Sequence, residues 1–468
     1  MRIGGKRGWL AALVAAAASV ALPADALAAR PNILVIVTDD QRAQGTLQVM
    51  PETSRWIFRA GVRFKDAVAT TPLCCPSRAS ILSGRYAHNH GVLLNSKNAQ
   101  ELAQFDYSQT FPAYLQRAGY ETGIVGKFLN GWNVAQAPPY FDSYAITDGG
   151  YYDTVWNLGG EVRTVGEYST TYTGRLAAGF IQAQEQHDQR PWLLYVATSA
   201  PHGTLSGDRI VLQPAPRYAN APVGALPGNP ARSERNLSDK PPFWVQAVNQ
   251  GLPPGVPNAR KTRAAQLRML MSVDDMVTRL ARTLRRDGER RRTLVIFTSD
   301  NGLLWGEHGD LPIKDMPWLP SIRVPLAMRW PGHLRRGATD ARLAANVDIA
   351  PTILDAAGIA VPASMDGRSL LRRWQRPFIL TEYFGLTGGS LQIPPWASLY
   401  APHSFAYDEY YQAGGSSPPI FREYYDLRQD PWQLDNLLGD ADPTNDPYVG
   451  GAAQALASAR SCSGSSCP

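Results

Sequence analysis

Cys74 and Cys75 stand side by side at the head of the segment Cys74-Cys75-Pro76-Ser77-Arg78-Ala79-Ser80-Ile81-Leu82-Ser83-Gly84. Adjacent cysteines rarely bridge each other because the geometry is strained, so at least one of these thiols needs another explanation. Pro76 suits the first turn of a helix, where its missing N–H costs nothing. A helix starting here aims free N–H groups and its positive end at whatever Cys74 handles, and Arg78 adds a fixed charge in the same turn. Both favour an anion. A lone cysteine beside a helix start would read as a buried structural thiol; the surrounding residues argue for chemistry instead.

A second set consists of Asp39, Asp40, Asp300 and Asn301. It offers oxygen donors alone, which suits Ca²⁺ or Mg²⁺. Carboxylates gathered at two strand ends repel one another unless a cation lies between them. His88 and His90 have no thiol or carboxylate close by in the sequence, so no zinc spacing is present. Lys127 and His202 complete the chemical inventory. A lysine at a strand end binds sulfate or phosphate as a point charge, and an imidazole titrating near neutrality donates a proton to a leaving oxygen. Lys314, in Ile313-Lys314-Asp315, reads by itself as a solvated loop lysine.

These residues need a scaffold, and the hydrophobic pattern supplies one. Asn32–Thr38 is a continuous apolar run, as expected of a buried parallel strand, and it ends in Asp39-Asp40. Strands are likewise expected at Thr122–Val125, before Gly126-Lys127, and at Trp192–Thr198, before Ala200-Pro201-His202. A further one at Thr293–Thr298 runs into Ser299-Asp300-Asn301. Helical patterns at Leu176–Gln186 and Leu267–Arg285 alternate with them. The alternation predicts an α/β fold with a doubly wound, mostly parallel sheet, whose ligand crevice lies at the C-terminal strand edge. Residues 213–257, rich in Pro, Asn and Gly, form a surface insertion beside the mouth of that crevice. From Arg376 the pattern shifts to short strands, Phe378–Glu382 and Glu423–Leu427, giving a small α+β domain with an antiparallel sheet. The expected organisation is a catalytic domain over 29–375, the small domain over 376–440 and a loosely ordered tail over 441–468.

Composition agrees with an enzyme. With 468 residues, 44% hydrophobic and 18% charged, the chain fills a sizeable core, which excludes a disordered or fibrous class. The net charge of +6 comes from scattered basic residues, so no nucleic-acid partner is implied, while anionic substrates are compatible with it. Residues 1–28 have the three parts of a secretory signal: Arg2, Lys6 and Arg7, an apolar stretch from Trp9 to Leu22, and Ala26-Leu27-Ala28. The apolar stretch is short for a bilayer span, and stable membrane insertion is not expected. Export places Cys462 and Cys467 in an oxidising compartment, where they can pair as a disulfide.

Cys74-x-Pro76-Ser77-Arg78 followed by Leu82-Ser83-Gly84-Arg85 resembles the signature of the sulfatase family, within the alkaline-phosphatase superfamily. The likeness extends through Gly306-Glu307-His308-Gly309, Ser321-x-Arg323-Val324-Pro325 and Asp348–Gly358 to Tyr425-Asp426-Leu427, covering about residues 31–440. His88-Asn89-His90 and Gly126-Lys127-Phe128-Leu129-Asn130 are most similar to the N-acetylglucosamine-6-sulfatases and related heparan sulfatases. The resemblance implies that a maturation enzyme converts Cys74 to formylglycine, whose hydrate is the nucleophile. Asp39, Asp40, Asp300 and Asn301, with that hydrate, would ligate Ca²⁺, for which Mg²⁺ is the lesser alternative. Arg78 and Lys127 would hold the formylglycine, and His202 and Lys314 would contact the sulfate ester, with His202 protonating the leaving alcohol. The implied substrate is a sulfated small molecule or sulfated glycan, met outside the cytoplasm. Two departures stand out. Leu129 occupies a position where many members carry His, leaving His88 or His90 as substitutes, and Trp318 replaces the usual Tyr near Lys314. Two rival readings remain: a phosphate or phosphonate ester hydrolase of the same superfamily, and an exported carbohydrate-binding protein without turnover.

Overall fold

Every residue of β1 (Asn32–Thr38) is buried, because helices cover both faces of the sheet to which it belongs. The computed structural model describes residues 30–95, 99–186, 190–206, 209–252, 254–385, 392–415 and 418–468. The export segment expected over 1–28 lies outside the described residues. The strands up to residue 345 continue with β2 (Val62–Val68), β3 (Glu121–Lys127), β4 (Ser143–Thr147), β5 (Thr154–Leu158), β6 (Glu161–Val165), β7 (Trp192–Ala197), β8 (Thr204–Ser206), β9 (Arg209–Val211), β10 (Thr293–Ser299), β11 (Leu326–Arg329) and β12 (Ala338–Ala345). Ten of them form one sheet in the order β12-β2-β11-β10-β1-β7-β3-β4-β5-β6. Its centre, β10-β1-β7-β3-β4, is parallel throughout, and antiparallel pairs flank it on both sides.

Side chains alternate across β1 and so define two packed layers. Ile33, Val35 and Val37 join a cluster with Ile81, Leu82, Phe111, Leu115 and Ile353. Leu34 and Ile36 face Ala177, Ile181, Leu270, Val273 and Val277 on the opposite side. The helices involved are α1 (Cys74–Ser83), α2 (Ser169–Glu185) and α3 (Ala259–Arg286). Both α2 and α3 begin earlier than their apolar periodicity suggests. Asn258 caps the start of α3 by accepting from the Lys261 N–H at 3.0 Å, a side-chain signal that apolar spacing does not carry.

The small sheet contains β13 (Ile379–Tyr383), β14 (Trp396–Ala401), β15 (Phe405–Tyr410) and β16 (Phe421–Asp426), antiparallel and in that order. It shares one apolar cluster with Val68, Leu73, Trp318 and Val347 of the larger unit. The tail differs from expectation. Residues Gly450–Ala459 form a helix, α4, and Cys462 and Cys467 are disulfide-bonded. Leu456, Ala459 and both cysteines are buried in the small domain's core, and that burial orders the segment despite its Gly, Ala and Ser content. The 213–257 segment also carries structure, namely short helices at Pro230–Ser233 and Pro242–Gln250. Trp244, fully buried, anchors it by donating Nε1–H to the His308 carbonyl at 2.6 Å. Among the described residues, no helix is long and apolar enough to cross a membrane.

Candidate active site

Parallel register brings the chemistry together. Thr38 pairs with Ser299, Val37 with Ala197, and Gly126 with Ala197, so four strands end level with one another. The residues that follow them, Asp39, Asp40, Asp300 and Asn301, together with Lys127 at the end of β3, therefore share one sheet edge. Gly126 is needed there: its φ is +107°, and a Cβ would lie 1.9 Å from the Ala197 carbonyl oxygen. Asp40 takes a left-handed φ of 65°. Its N–H donates to Asp300 Oδ1 at 3.1 Å, which fixes this uncommon conformation.

α1 begins at Cys74 and points its N-terminus at the same edge, with all ten of its residues buried. Ser77 Oγ–H donates to the Asp300 carbonyl and accepts from Asn346 Nδ2 at 2.9 Å, tying the helix to β10 and to the turn after β12. Cys74 Sγ lies 3.4 Å from Asp39 Oδ1 and 2.8 Å from Lys314 Nζ. Cys75 remains a free thiol; its S–H donates to the Asn130 carbonyl at 3.5 Å, and burial pushes its ionisation up to about 12.

Charges interlock around Cys74. Arg78, with no solvent exposure, donates Nε–H to Asp300 Oδ2 at 2.8 Å and Nη1–H to the Lys127 carbonyl at 3.2 Å, while Nη2 lies 3.2 Å from Asp39 Oδ2. Lys127 Nζ donates to Asp39 Oδ2 and Lys314 Nζ to Asp40 Oδ1, at 2.5 and 2.6 Å. Asn301 Nδ2 donates to the same Asp40 oxygen at 2.6 Å. Lys314 is thus no solvated loop lysine. His202 Nε2 is 3.7 Å from Asp40 Oδ2, and a third of its side chain, 34%, stays open to solvent.

Burial sets the protonation states, modulated by these neighbours. It raises the Cys74 thiol, with Asp39 adding to the effect. Burial also works to raise Asp39, yet Lys127, His202, Arg78 and Lys314 together hold that carboxyl well below the usual range. Asp300 moves the other way, to about 6, through burial and the adjacent Asp39. Burial lowers the His202 imidazole, against the pull of Asp40 and Asp39.

Several supporting residues lie outside the set to which the sequence assigned chemistry. Tyr151 Oη accepts or donates nothing to the cluster itself; it bonds the Ser199 and His202 carbonyls at 2.8 and 2.7 Å and braces the His202 loop. Glu307 takes Arg42 at 3.0 Å, Arg232 at 2.8 Å and the Trp305 N–H at 2.6 Å, which clamps the loop that follows Asn301. Asp315, buried beside Lys314, is raised to about 7 by burial.

The histidines proposed to replace the residue at the Leu129 position are engaged elsewhere. His88 bonds Glu382 at 2.9 Å through Nδ1 and the Cys462 carbonyl at 3.0 Å through Nε2. His90 bonds Ser80 Oγ at 3.0 Å and accepts the Val92 N–H at 3.1 Å, and burial drops it to about 3. Glu382 is also a carboxylate partner that sequence proximity hid from His88.

Asp40, His202 and Lys314 open onto a cavity of about 260 Å³, whose other walls include Leu205, Ile210, Val256 and Leu303. Asp39, Asp40, Cys74 and His202 offer atoms within 4.8 Å of one another, a grouping able to hold a metal ion. Asn301 Oδ1 is buried without a hydrogen-bond partner, an oxygen lone pair that a hard cation can take. The carboxylate and amide oxygens among these donors suit a hard cation.

A layered α/β protein with a helix N-terminus and a cluster of carboxylate and amide groups at its strand ends matches the alkaline-phosphatase-like architecture. The chain belongs to the sulfatase family, whose profile matches residues 31–359. It is similar to the extracellular sulfatase SULF-1 homolog of Drosophila melanogaster, 34% identical over 73% of this chain and 31% of that protein. The chain therefore spans about a third of the fly protein's length. An N-acetylglucosamine-6-sulfatase of Capra hircus is 30% identical over 94% of this chain and 85% of its own. A solved structure described as in complex with its substrate D-glucosamine-2-N,6-O-disulfate superposes with a TM-score of 0.74 at 23% identity, covering 92% of this chain and 96% of that one. At that identity the likeness carries the fold.

Proposed function

We propose that the protein hydrolyses sulfate esters, with sugar O-sulfates as the substrate class, after Cys74 has been converted to formylglycine by a maturation enzyme. Asp39, Asp40, Asp300 and Asn301 would hold the ion, Ca²⁺ in preference to Mg²⁺, since an irregular set of carboxylate and amide oxygens suits the larger cation. The carrying observation is the setting of Cys74: first residue of a buried helix, 3.4 Å from Asp39 Oδ1 and 2.8 Å from Lys314 Nζ, among Arg78, Lys127 and His202. Hydrated formylglycine supplies an oxygen nucleophile and the cation offsets charge on the sulfuryl oxygens.

The chain's own groups divide the remaining work. Arg78 and Lys127 fix Asp39 and neutralise the floor of the site. Lys314 and His202 border the cavity, where a sulfuryl group enters, and Lys314 Nζ stabilises negative charge that grows on it. His202 Nε2 gives its proton to the departing sugar oxygen. The N-acetylglucosamine-6-sulfatase and extracellular sulfatase relatives support sugar sulfates met outside the cytoplasm as the substrate class.

Mass spectrometry of the tryptic peptide Asp66–Arg78 from native-host protein tests the first step. An aldehyde or its hydrate at Cys74, with Cys75 still a thiol, is expected. Release of sulfate from glucosamine 6-sulfate and from an aryl sulfate tests the activity. Turnover of phosphate esters alone would sink the sulfatase reading, as would binding of sulfated sugars by an unmodified protein without hydrolysis.

A further inference from the structure

The opposite end of α3 carries a second concentration of positive charge. Arg279, Arg282, Arg285 and Arg286 are all exposed on its last two turns. On one side of this ridge lies a groove of about 550 Å³ lined by Arg55, Arg282, Arg285, Arg290, Arg329 and Arg336, with Glu52 as its one acid. On the other side a groove of about 580 Å³ shares Arg282 and Arg285 and adds Arg217, Arg279 and Arg286, again with one acid, Asp275. Glu52 is taken by Arg55 and Asp275 by Arg217. Among the described residues, no carboxylate pairs with Arg282, Arg285, Arg290 or Arg336.

The helix dipole accounts for arginines in a final turn. It does not account for Arg290, Arg329 and Arg336, which come from the loop after α3, from β11 and from the turn before β12. Arg329 is buried, stacks 5.5 Å over Trp56, and is pushed down to about 10 by burial and by Arg290. Evolution of a solvated surface does not require cations to crowd in this way. Position matters as well. Gln266 lines the reaction cavity and Arg285 lines the groove, and the nineteen helical steps from one to the other along α3 span about 28 Å. The groove is therefore separate from the site described above.

We propose that this arginine-lined surface binds a linear sulfated polysaccharide, holding the chain on which the reaction site acts. Guanidinium groups are weakly hydrated forks that match the oxygens of sulfate and carboxylate groups, so a row of them fits a polymer bearing both. Single-stranded nucleic acid is disfavoured because the grooves expose no aromatic ring for base stacking; Trp56 is only 6% exposed. A membrane surface is disfavoured because none of the large exposed apolar side chains lies here. The inference rests on sugar sulfates being the substrate class.

The test compares the full-length protein with Arg282→Glu/Arg285→Glu and, from a different element, Arg336→Glu. Binding to heparin is measured by salt elution and by titration, alongside hydrolysis of a small aryl sulfate. Charge reversal is expected to weaken heparin binding roughly tenfold or more, because it replaces attraction by like-charge repulsion. Small-ester turnover should stay within about twofold, given the distance. Unchanged heparin elution in both variants would overturn the proposal. Equal displacement of heparin by a sulfate-free single-stranded oligonucleotide would overturn it in favour of nucleic acid. Should wild type and variants alike fail to hydrolyse the aryl sulfate, the enzymatic reading fails while heparin retention still decides the groove.

Discussion

Arg78→Met isolates the electrostatic linchpin of the site. The native guanidinium has no solvent exposure and makes contacts of 2.8 Å to Asp300, 3.2 Å to Asp39 and 3.2 Å to the Lys127 carbonyl. Methionine keeps much of the volume and removes the charge, leaving two buried carboxylates short of a partner. Removing one member of a buried ion pair costs about 3–5 kcal/mol, and the retained Lys127–Asp39 pair places the expectation within that range. Urea unfolding in the presence of a chelator reads the cost directly, since no divalent ion then substitutes for the arginine. The pH dependence provides a second check. Asp300 titrates at about 6 in the fold, above its ordinary value of about 4, so its ionisation costs stability as pH rises through that window. Without Arg78 the window widens upward, and the penalty should be larger at pH 8 than at pH 5. Added Ca²⁺ at a hundred times its Kd should stabilise the wild type by about 2.7 kcal/mol. A penalty under about 1 kcal/mol at pH 8, or the same penalty at both pH values, would refute the reasoning.

Lys314→Met should lower kcat by roughly a hundredfold to a thousandfold, the usual effect of deleting one charge stabiliser, and should also destabilise the fold because buried Asp40 loses a cation partner; steady-state kinetics and denaturation separate the two. His202→Gln should remove a pH limb of activity: the imidazole is lowered by burial, so an acid role is lost as pH rises through a value below about 6.5, and a pH–rate profile shows whether that limb disappears. In the small sheet Asp408 faces Glu423 across β15 and β16. Burial raises Glu423 to about 7, and burial with Glu423 raises Asp408 as well. Stability should therefore fall by ~1–3 kcal/mol between pH 5 and 8 as these acids ionise in the unfolded chain first, and Asp408→Asn should flatten that slope in denaturant titrations. Gly126→Ala should destabilise by ~3 kcal/mol or more, because its Cβ meets backbone at 1.9 Å and its φ is positive; soluble yield and melting temperature report it.

Strand position was legible in the chain because buried parallel strands are unbroken apolar runs, and each such run here stops at a polar residue. Asn32–Thr38 and Thr293–Thr298 announced both themselves and the acids that follow them. The helix start at Cys74 was legible through Pro76, and the charge partners through the motif around it. Other features depend on contacts that sequence does not encode locally. Lys314 reads as a loop lysine until the fold sets its Nζ against Asp40 and Cys74. His88 and His90 read as free imidazoles until Glu382, nearly three hundred residues downstream, and Ser80 claim them. The tail reads as disordered because Gly, Ala and Ser bury little surface alone, whereas Leu456 and the Cys462–Cys467 disulfide order it once a partner sheet is present.

By itself, then, the sequence determined the alternation of strands and helices, the sheet edge at which polar groups collect, and the kinds of atom gathered there, since periodicity and residue type are local properties. Tertiary structure decided which cation sits on which carboxylate, which histidines stay available, and where the arginines of α3, β11 and the intervening loops merge into one surface. Those outcomes depend on distances between residues far apart in the chain, and such distances exist only after the core has packed.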